Sequence, residues 1–218
     1  MSDHSKIPVT QLPKHRFVFL TLPDYTMIAL ASAIDALRMA NRVSKRELYE
    51  WSIASMDGEP VPASNGLSMF PTLAIDNVGP ANIVFVVGGV QVEKVTTPAV
   101  LSVLRRLAQR HVSLGALCTG GYALAKAGLL DKYRAVIHWE NMTALREEFP
   151  RVVFSDQLFA IDRDRYTCTG GIAPLDLMLH IIKQHQGRDI APLISEQFIL
   201  DRIRNDQDRQ HIPLQARV

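Results

Sequence analysis

Cys118 has the residue type and the position that are most typical of a reactive group in this sequence. It directly follows the apolar run 112–117, and Thr119 and two glycines separate it from the helix-forming run 122–127. A strand, a tight turn and a helix in this order form a nucleophile elbow, which lifts one side chain out of a sheet. A helix N-terminus beside the sulfur favours its thiolate form. A small buried cysteine that ends a strand explains the same pattern about as well.

His138 lies 20 residues after Cys118, at the end of a short apolar segment. Strand ends meet at one edge of a parallel sheet, so an imidazole at this position is placed to activate the thiol. Glu140 is a candidate for orienting the imidazole ring. The alternative is a histidine that is satisfied by a hydrogen bond beside a helix N-terminus. If the chain is an enzyme, Cys118 and His138 are its predicted catalytic residues.

Two glycines, Gly88 and Gly89, follow the β-branched run 83–87 and are predicted to direct two N–H groups toward the same edge as Cys118. Such donors suit an oxyanion or a carboxylate ligand, although a plain turn explains the glycines nearly as well. A second Cys-Thr-Gly-Gly sequence at 168–171 precedes another helix candidate, whose N-terminus would be open to an anion. The predicted ligand-binding residues are Gly88, Gly89, Cys118, Thr119, Gly120, His138, Trp139, Gly170 and Gly171.

Aromatic side chains are candidates for a pocket that binds a cation, because the faces of their rings attract positive charge. Trp139 follows the predicted site histidine directly, and Tyr25 and Trp51 are the two other rings in question. Core packing is the commoner role of such rings in a chain with only two tryptophans.

The composition excludes several classes of protein. The 218 residues include 24 basic and 22 acidic side chains, and this net charge of +2 lacks the electrostatic footprint of a free-standing DNA-binding protein. The two cysteines are too few for a disulfide scaffold and lack the spacing of a zinc site, so neither a metal nor a cofactor is predicted. Without an apolar run of membrane-spanning length or a signal segment, the sequence predicts a cytoplasmic protein.

Strand and helix patterns alternate along the chain. This alternation predicts an α/β fold with a doubly wound, mostly parallel sheet and helices on both faces. The first helix is expected to have apolar residues at helical spacing, namely Ile28, Ala31, Ile34, Leu37, Met39 and Ala40. Strands are predicted at 17–20, 51–54, 83–87, 112–117, 152–154, 158–161 and 165–168, and helices at 26–43, 98–110, 122–127, 140–149, 172–186 and 189–203. The predicted organisation is a polar lead at 1–14, one domain at 15–203 and a linker at 204–218.

The order and spacing of the two glycines, Cys118 and His138 resemble the ThiJ/PfpI branch of the class I glutamine amidotransferase-like superfamily, over residues 16–187. The resemblance implies the flavodoxin-like fold of that superfamily. Three stretches are more narrowly similar to the sensor half of GlxA-type, AraC-family transcriptional regulators. These stretches are 29–41, 169–179 and 197–210.

This resemblance implies a small-molecule-sensing regulatory domain that is non-catalytic or vestigially catalytic. In that family a pair of helix-turn-helix motifs follows the sensor, so DNA is expected as a partner only through a C-terminal domain that is absent from this chain. Residues 204–218 would then be the linker toward it. The family also implies a homodimer and an effector such as an amino acid or a quaternary amine, of which glycine betaine is an example.

One departure from the family pattern concerns catalysis. Hydrolytic members of the superfamily place a glutamate of the first helix against the elbow cysteine, and Ala29 or Leu30 occupies the matching position here. Asp24 or Asp35 would have to replace that carboxylate, so turnover is in doubt. A cysteine-dependent amidase, peptidase or glyoxalase-like enzyme that uses Cys118 and His138 is the alternative function, and a redox sensor based on oxidation of Cys118 is a weaker one.

Overall fold

The core of the protein is a twisted sheet with helices on both faces, as seen in a computed structural model that describes residues 14–70 and 72–211. The predicted polar lead, except for Lys14, and residues 212–218 of the predicted linker lie outside the described residues. The strands are β1 (His15–Thr21), β2 (Tyr49–Ser55), β3 (Thr72–Ala74), β4 (Ile83–Val87), β5 (Ser113–Leu117), β6 (Arg134–Val136), β7 (Val153–Ser155), β8 (Phe159–Asp162) and β9 (Arg165–Cys168). The helices are α1 (Met27–Ser44), α2 (Val92–Val95), α3 (Pro98–Gln109), α4 (Gly121–Lys126), α5 (Trp139–Glu148), α6 (Ala173–Gln186) and α7 (Ile190–Gln197).

The strand order of the main sheet is β3-β2-β1-β4-β5-β9-β8, and every neighbouring pair is parallel except β8 with β9. Strands β6 and β7 form a separate parallel pair. The predicted doubly wound, mostly parallel α/β fold is therefore confirmed. The chain order reverses between β1 and β4, and ligands of such sheets bind at the carboxyl ends of the strands around this point.

Alternating side chains of the central strands supply two separate cores. Phe17 and Phe19 of β1 pack on one face with α1, α6 and α7, whereas Val18 and Leu20 pack on the other face with α2 to α5. All five residues of β4 are buried, as the continuous β-branched run predicts for a strand covered on both sides. No helix within the described ranges is long and apolar enough to cross a membrane.

The buried face of α1 differs from the predicted one. Ile28 is 51% exposed, so its predicted inward position is wrong. The helix contacts α6 and α7 instead through a face rich in alanine, because small side chains allow helices to approach closely. The buried residues of α1 are Ala29, Leu30, Ala33, Ala36, Leu37, Met39 and Ala40.

The last helix is shorter than its predicted extent of 189–203. It ends at Gln197, and Ile199 has a φ of 54° and is 91% exposed. A left-handed residue stops a helix, and a β-branched side chain adopts that conformation rarely. Phe198 and Leu200 pack against the core from this turn, which explains why the segment has an apolar pattern without being helical.

Residues 204–211, here called the C-terminal segment, lie against the domain. Arg204 forms an ion pair with Asp176 of α6. Asp176 is only 3% exposed. The Asp176 carboxylate accepts hydrogen bonds from the backbone N–H of Arg204 at 3.1 Å and from its Nε and Nη2 at 3.0 and 2.6 Å. The role of 204–218 as a linker stays a prediction, but its described part is bound to α6.

We expect Arg204→Met to destabilise the protein by about 3–5 kcal/mol, because it leaves the buried Asp176 carboxylate without its cation. Arg202→Met is the matched control, since Arg202 pairs with Asp208 at the surface and such pairs contribute about 0–1 kcal/mol. Urea denaturation followed by circular dichroism measures both free energies of unfolding. Equal losses in the two variants would contradict a special role for the buried pair.

Candidate functional site

Cys118 occupies the predicted elbow. It follows β5 directly, begins a short 3-10 turn that leads into α4, and has a φ of 58°. A positive φ is uncommon for a residue with a side chain and is held in place by the surrounding structure. Cys118 is 6% exposed, so its thiol forms part of the floor of the site rather than projecting into solvent.

The turn after β4 packs against this elbow through main-chain contacts. The Gly88 N–H donates to the Leu117 carbonyl at 3.2 Å, and the Thr119 hydroxyl donates to the Gly89 carbonyl at 2.7 Å. A side chain at Gly88 would collide with the backbone of Gly120. The prediction that both glycines offer N–H groups to an anion is therefore wrong for Gly88, because its donor is already used.

Thr26 is the hydrogen-bond partner of the Cys118 sulfur, and sequence analysis missed it. Its hydroxyl donates to the Cys118 Sγ at 3.3 Å. Thr26 precedes α1 at a position where threonine usually caps the helix, yet its side chain makes no capping hydrogen bond. Burial raises the pKa of the Cys118 thiol, and the Thr26 hydroxyl offsets part of this rise. The site therefore favours the neutral thiol.

The carboxylates that were candidates for this position do not take it. Asp35 pairs with Arg38 at the surface at 2.6 Å, and Ala29 and Leu30 are fully buried. Asp24 is not among the residues that line the site. A hydroxyl thus stands beside the sulfur where hydrolytic relatives are expected to place a carboxylate.

His138 lies at the start of α5, close to Cys118 but not hydrogen-bonded to it in the described structure. A Cβ at Gly170 would lie 3.1 Å from the Cys118 Sγ and 2.9 Å from the His138 Cδ2, so both side chains border this glycine. The His138 Nδ1 lies 3.6 Å from Glu140 Oε2. Burial lowers the pKa of His138, against the opposing effect of Glu140, and so favours the neutral imidazole.

The two Cys-Thr-Gly-Gly turns lie side by side because β5 and β9 are neighbours in the sheet. Cys168 is fully buried, and burial raises its pKa well above the usual range. Gly171 lines the same cleft as Cys118, and Gly170 separates Cys118 from His138. The second turn thus contributes glycines to the site, while its cysteine belongs to the core.

A cleft of about 560 Å³ opens above the elbow at the carboxyl edge of the sheet, here called the edge cleft. A larger cleft of about 700 Å³ lies at the opposite edge, near Asp76 and Arg106, and it contains none of the elbow residues. We assign the site to the edge cleft because it lies at the strand ends where such sheets bind ligands. Its lining residues are Thr26, Gly89, Val90, Gln91, Val92, Glu93, Lys94, Cys118, Thr119, His138, Glu140, Asn141 and Gly171.

The three candidate rings do not form an aromatic pocket. Trp51 lines a small depression with Lys14 at the other edge of the sheet, and Tyr25 is buried in the core. Trp139 packs beside His138, with 5.6 Å between ring centroids, but does not line the edge cleft. Within the described ranges no group of three or more His, Cys, Asp and Glu residues is arranged to hold a metal.

The residues that sequence analysis missed come mainly from Gln91 and the short helix α2, which follow β4. Gln91, Glu93 and Lys94 line the edge cleft there, and Asn141 does so from α5. The rule that ligands bind beyond the carboxyl ends of strands could have pointed to this segment.

The fold and the site define a class of protein. Its members are doubly wound α/β domains with a cysteine at a strand-to-helix elbow, below a cleft at the edge of the sheet. Residues 15–184 match the model of the DJ-1/PfpI family, and the chain belongs to that family.

Comparison with known proteins identifies relatives of this chain more specifically than the family match does. The HTH-type transcriptional regulator GbdR of Pseudomonas aeruginosa is 49% identical over 196 residues, which are 90% of this chain and 53% of that protein. GlxA of Rhizobium meliloti, also an HTH-type transcriptional regulator, is 35% identical over 84% of this chain and 57% of its own length. The chain thus spans little more than half the length of these relatives.

A solved structure supports the same relationship. The crystal structure of an AraC family transcriptional regulator from Pseudomonas putida has a TM-score of 0.78 and 27% identity, and it covers 84% of this chain and 99% of that chain. The predicted similarity to PfpI-like domains of GlxA-type regulators is confirmed.

We expect Thr26→Val to raise the pKa of Cys118 further, because valine keeps the shape of threonine but lacks the hydroxyl that lowers this pKa. The pH dependence of Cys118 alkylation by iodoacetamide, followed by peptide mass spectrometry, measures the pKa because the thiolate is the reactive form. Thr26→Ser keeps the hydroxyl and is expected to leave the midpoint almost unchanged. A midpoint in the valine variant that is not higher would show that Thr26 does not donate to the sulfur.

Proposed function

We propose that this chain is the small-molecule-sensing domain of an AraC-type transcriptional regulator and that its effector binds in the edge cleft. The observation that carries the proposal is the environment of Cys118, where a threonine hydroxyl contacts a buried neutral thiol at the floor of an open cleft. The regulators GbdR and GlxA, which resemble the chain over most of its length, support the same function.

The pKa shifts of the two predicted catalytic residues support binding over catalysis. A nucleophilic cysteine needs its thiolate, and a histidine activates it by holding the proton. Burial favours the neutral forms of both Cys118 and His138, and Thr26 rather than His138 is the hydrogen-bond partner of the sulfur. In the described part of the chain neither His138 nor a carboxylate is hydrogen-bonded to the thiol, and this arrangement weighs against turnover.

The charged side chains of the edge cleft favour an effector that carries both a positive and a negative charge. Glu93 and Glu140 contribute carboxylates, and Lys94 contributes an ammonium group whose Nζ donates to Gln91 Oε1 at 2.9 Å. An amino acid, or a quaternary amine with a carboxylate such as glycine betaine, has matching charges. Since no Trp, Tyr or Phe ring of the described residues lines the cleft, we propose that carboxylates rather than aromatic faces receive the cation.

The proposed partners follow from the same relationship. GbdR and GlxA are HTH-type regulators, and this chain covers 53% and 57% of their lengths. We propose that DNA is bound by a separate C-terminal domain, since the net charge of this chain is only +2. Action in the cytoplasm as a homodimer belongs to the same proposal.

A cysteine-dependent hydrolase or glyoxalase-like enzyme is the second candidate. The positive φ of Cys118 favours it, because that strained elbow is the conformation that presents a nucleophile. The hydroxyl of Thr26 in place of a carboxylate weighs against it. Retention of effector binding by a Cys118→Ala variant, without any turnover by the unchanged protein, would favour the sensor over the enzyme.

We expect isothermal titration calorimetry against the amino acids, glycine betaine and choline to identify an effector of this chain. Glu140→Gln is expected to weaken its affinity about tenfold, because a charge-assisted contact to the cation is lost. Glu147→Gln is the matched control, since Glu147 is an exposed carboxylate on the same helix and does not line the cleft. Absence of binding by every compound, or equal weakening in both variants, would contradict the proposed site.

A further inference from the structure

Gln210 is a buried amide that connects three separate parts of the domain. It is 8% exposed, and its Oε1 accepts a hydrogen bond from the Thr169 hydroxyl at 2.7 Å. Its Nε2 donates to the carbonyl of Ile137 at 2.9 Å and to the carbonyl of Gln157 at 3.1 Å. All the hydrogen-bonding groups of this side chain are thus directed to loops of the domain, and none of these loops is adjacent to it in sequence.

Two of these partners lie close in sequence to residues of the edge cleft. Ile137 directly precedes His138, and Thr169 lies two residues before Gly171. Gly170 between them is bordered by the side chains of both His138 and Cys118. A single side chain from the C-terminal segment therefore contacts both loops that border the predicted catalytic residues, through the backbone carbonyl of Ile137 and the side-chain hydroxyl of Thr169. The stretches just before these loops are also joined directly, because the Val136 N–H donates to Thr167 Oγ1 at 2.8 Å. Gln210 adds a second bridge between them, nearer to the cleft.

The C-terminal segment is attached to the domain at several further points, up to and including Gln210. The Gln210 N–H donates to the Asp156 carbonyl at 2.8 Å, and the Leu158 N–H donates to the Asp208 carbonyl at 3.0 Å, in the manner of a short antiparallel pairing. At the start of the segment, Arg204 pairs with Asp176 of α6. Helix α6 follows the second Cys-Thr-Gly-Gly turn, so the segment contacts the elements that shape the cleft at both of its ends.

We propose that Gln210 is a positioning residue for the edge cleft and that attachment of the C-terminal segment is coupled to the geometry of the site. Because such coupling is reciprocal, a ligand that fixes the His138 and Gly170 loops stabilises the attached segment by the same free energy. The regulatory consequence of this coupling rests on the proposed function, because in that function the C-terminal segment lies between the effector and the DNA-binding domain. The coupling itself does not need a ligand to be tested.

Gln210→Glu tests the donor group of this amide separately from its acceptor group, because the two side chains have nearly the same shape. The variant can still accept from Thr169, but it presents an oxygen where the amide donates to the carbonyls of Ile137 and Gln157. An unmet buried hydrogen bond with like partial charges in contact is costly, so the segment and both loops should open more often. Gln210→Met, which has a similar size and no charge, is the second variant and is measured if the first loses its cooperative urea transition.

Two controls separate positioning from general loss of stability. Arg209→Gln changes the neighbouring residue of the segment, whose side chain is exposed and forms a surface pair with Asp156. Tyr49→Phe removes the contact between the Tyr49 hydroxyl and His185 Nδ1 at the opposite edge of the sheet. The denaturant concentration is adjusted so that Tyr49→Phe and Gln210→Glu are compared at equal free energies of unfolding.

The experiment measures iodoacetamide alkylation of Cys118 and hydrogen exchange of residues 137–141, 169–173 and 204–211 without any ligand. We expect Gln210→Glu to accelerate alkylation of Cys118 and exchange in all three stretches about tenfold, the size of effect of a lost buried hydrogen bond, and both controls to leave them unchanged. Faster exchange of 204–211 alone, or equal acceleration in Tyr49→Phe, would overturn the proposal. Failure of every compound to bind would overturn the sensor function but leave this coupling standing.

Discussion

Main chain packs directly on main chain where the turn after β4 contacts the elbow after β5, and the geometry of the whole carboxyl edge depends on this contact. A side chain at Gly88 would enter the backbone of Gly120, and one at Gly120 would enter the carbonyl of Val86. Only glycine permits such an approach within a sheet edge. The contact holds Cys118 in its positive φ conformation, and that conformation in turn sets the floor of the edge cleft.

The chemistry of the site is decided by a few atoms around this shared scaffold. A strained elbow, a nearby imidazole and a cleft are compatible with a nucleophile or with a binding pocket, because a fold by itself does not determine a function. The hydroxyl of Thr26 beside the Cys118 sulfur and the burial of both Cys118 and His138 shift the balance toward neutral groups. The charged side chains that line the cleft are Glu93 and Lys94 of α2 and Glu140 of α5.

The sequence predicted those features that local periodicity and turn chemistry control. The run 83–87 has the pattern of a strand buried on both faces, and the Cys-Thr-Gly-Gly turn after β5 indicated the elbow. Contacts between segments that are distant in the sequence could not be predicted from local patterns. Thr26 was predicted only as the first residue of a helix, and its contact with Cys118 joins residues far apart in the sequence. Likewise, nothing near Gln210 in the sequence indicates a buried amide. The prediction that Ile28 is buried was wrong for a related reason, because packing against α6 and α7 determines which face of α1 is buried.

The buried Asp176 also defines how much of the chain belongs to one folding unit. A chain cut after residue 203 would keep every described strand and helix, yet it would enclose a carboxylate with its cation removed and leave the Thr169 hydroxyl without its acceptor. Burial of an uncompensated charge is among the costliest defects that a protein interior can contain. A graft of this domain onto another protein therefore has to include the chain as far as Gln210, well beyond its last helix.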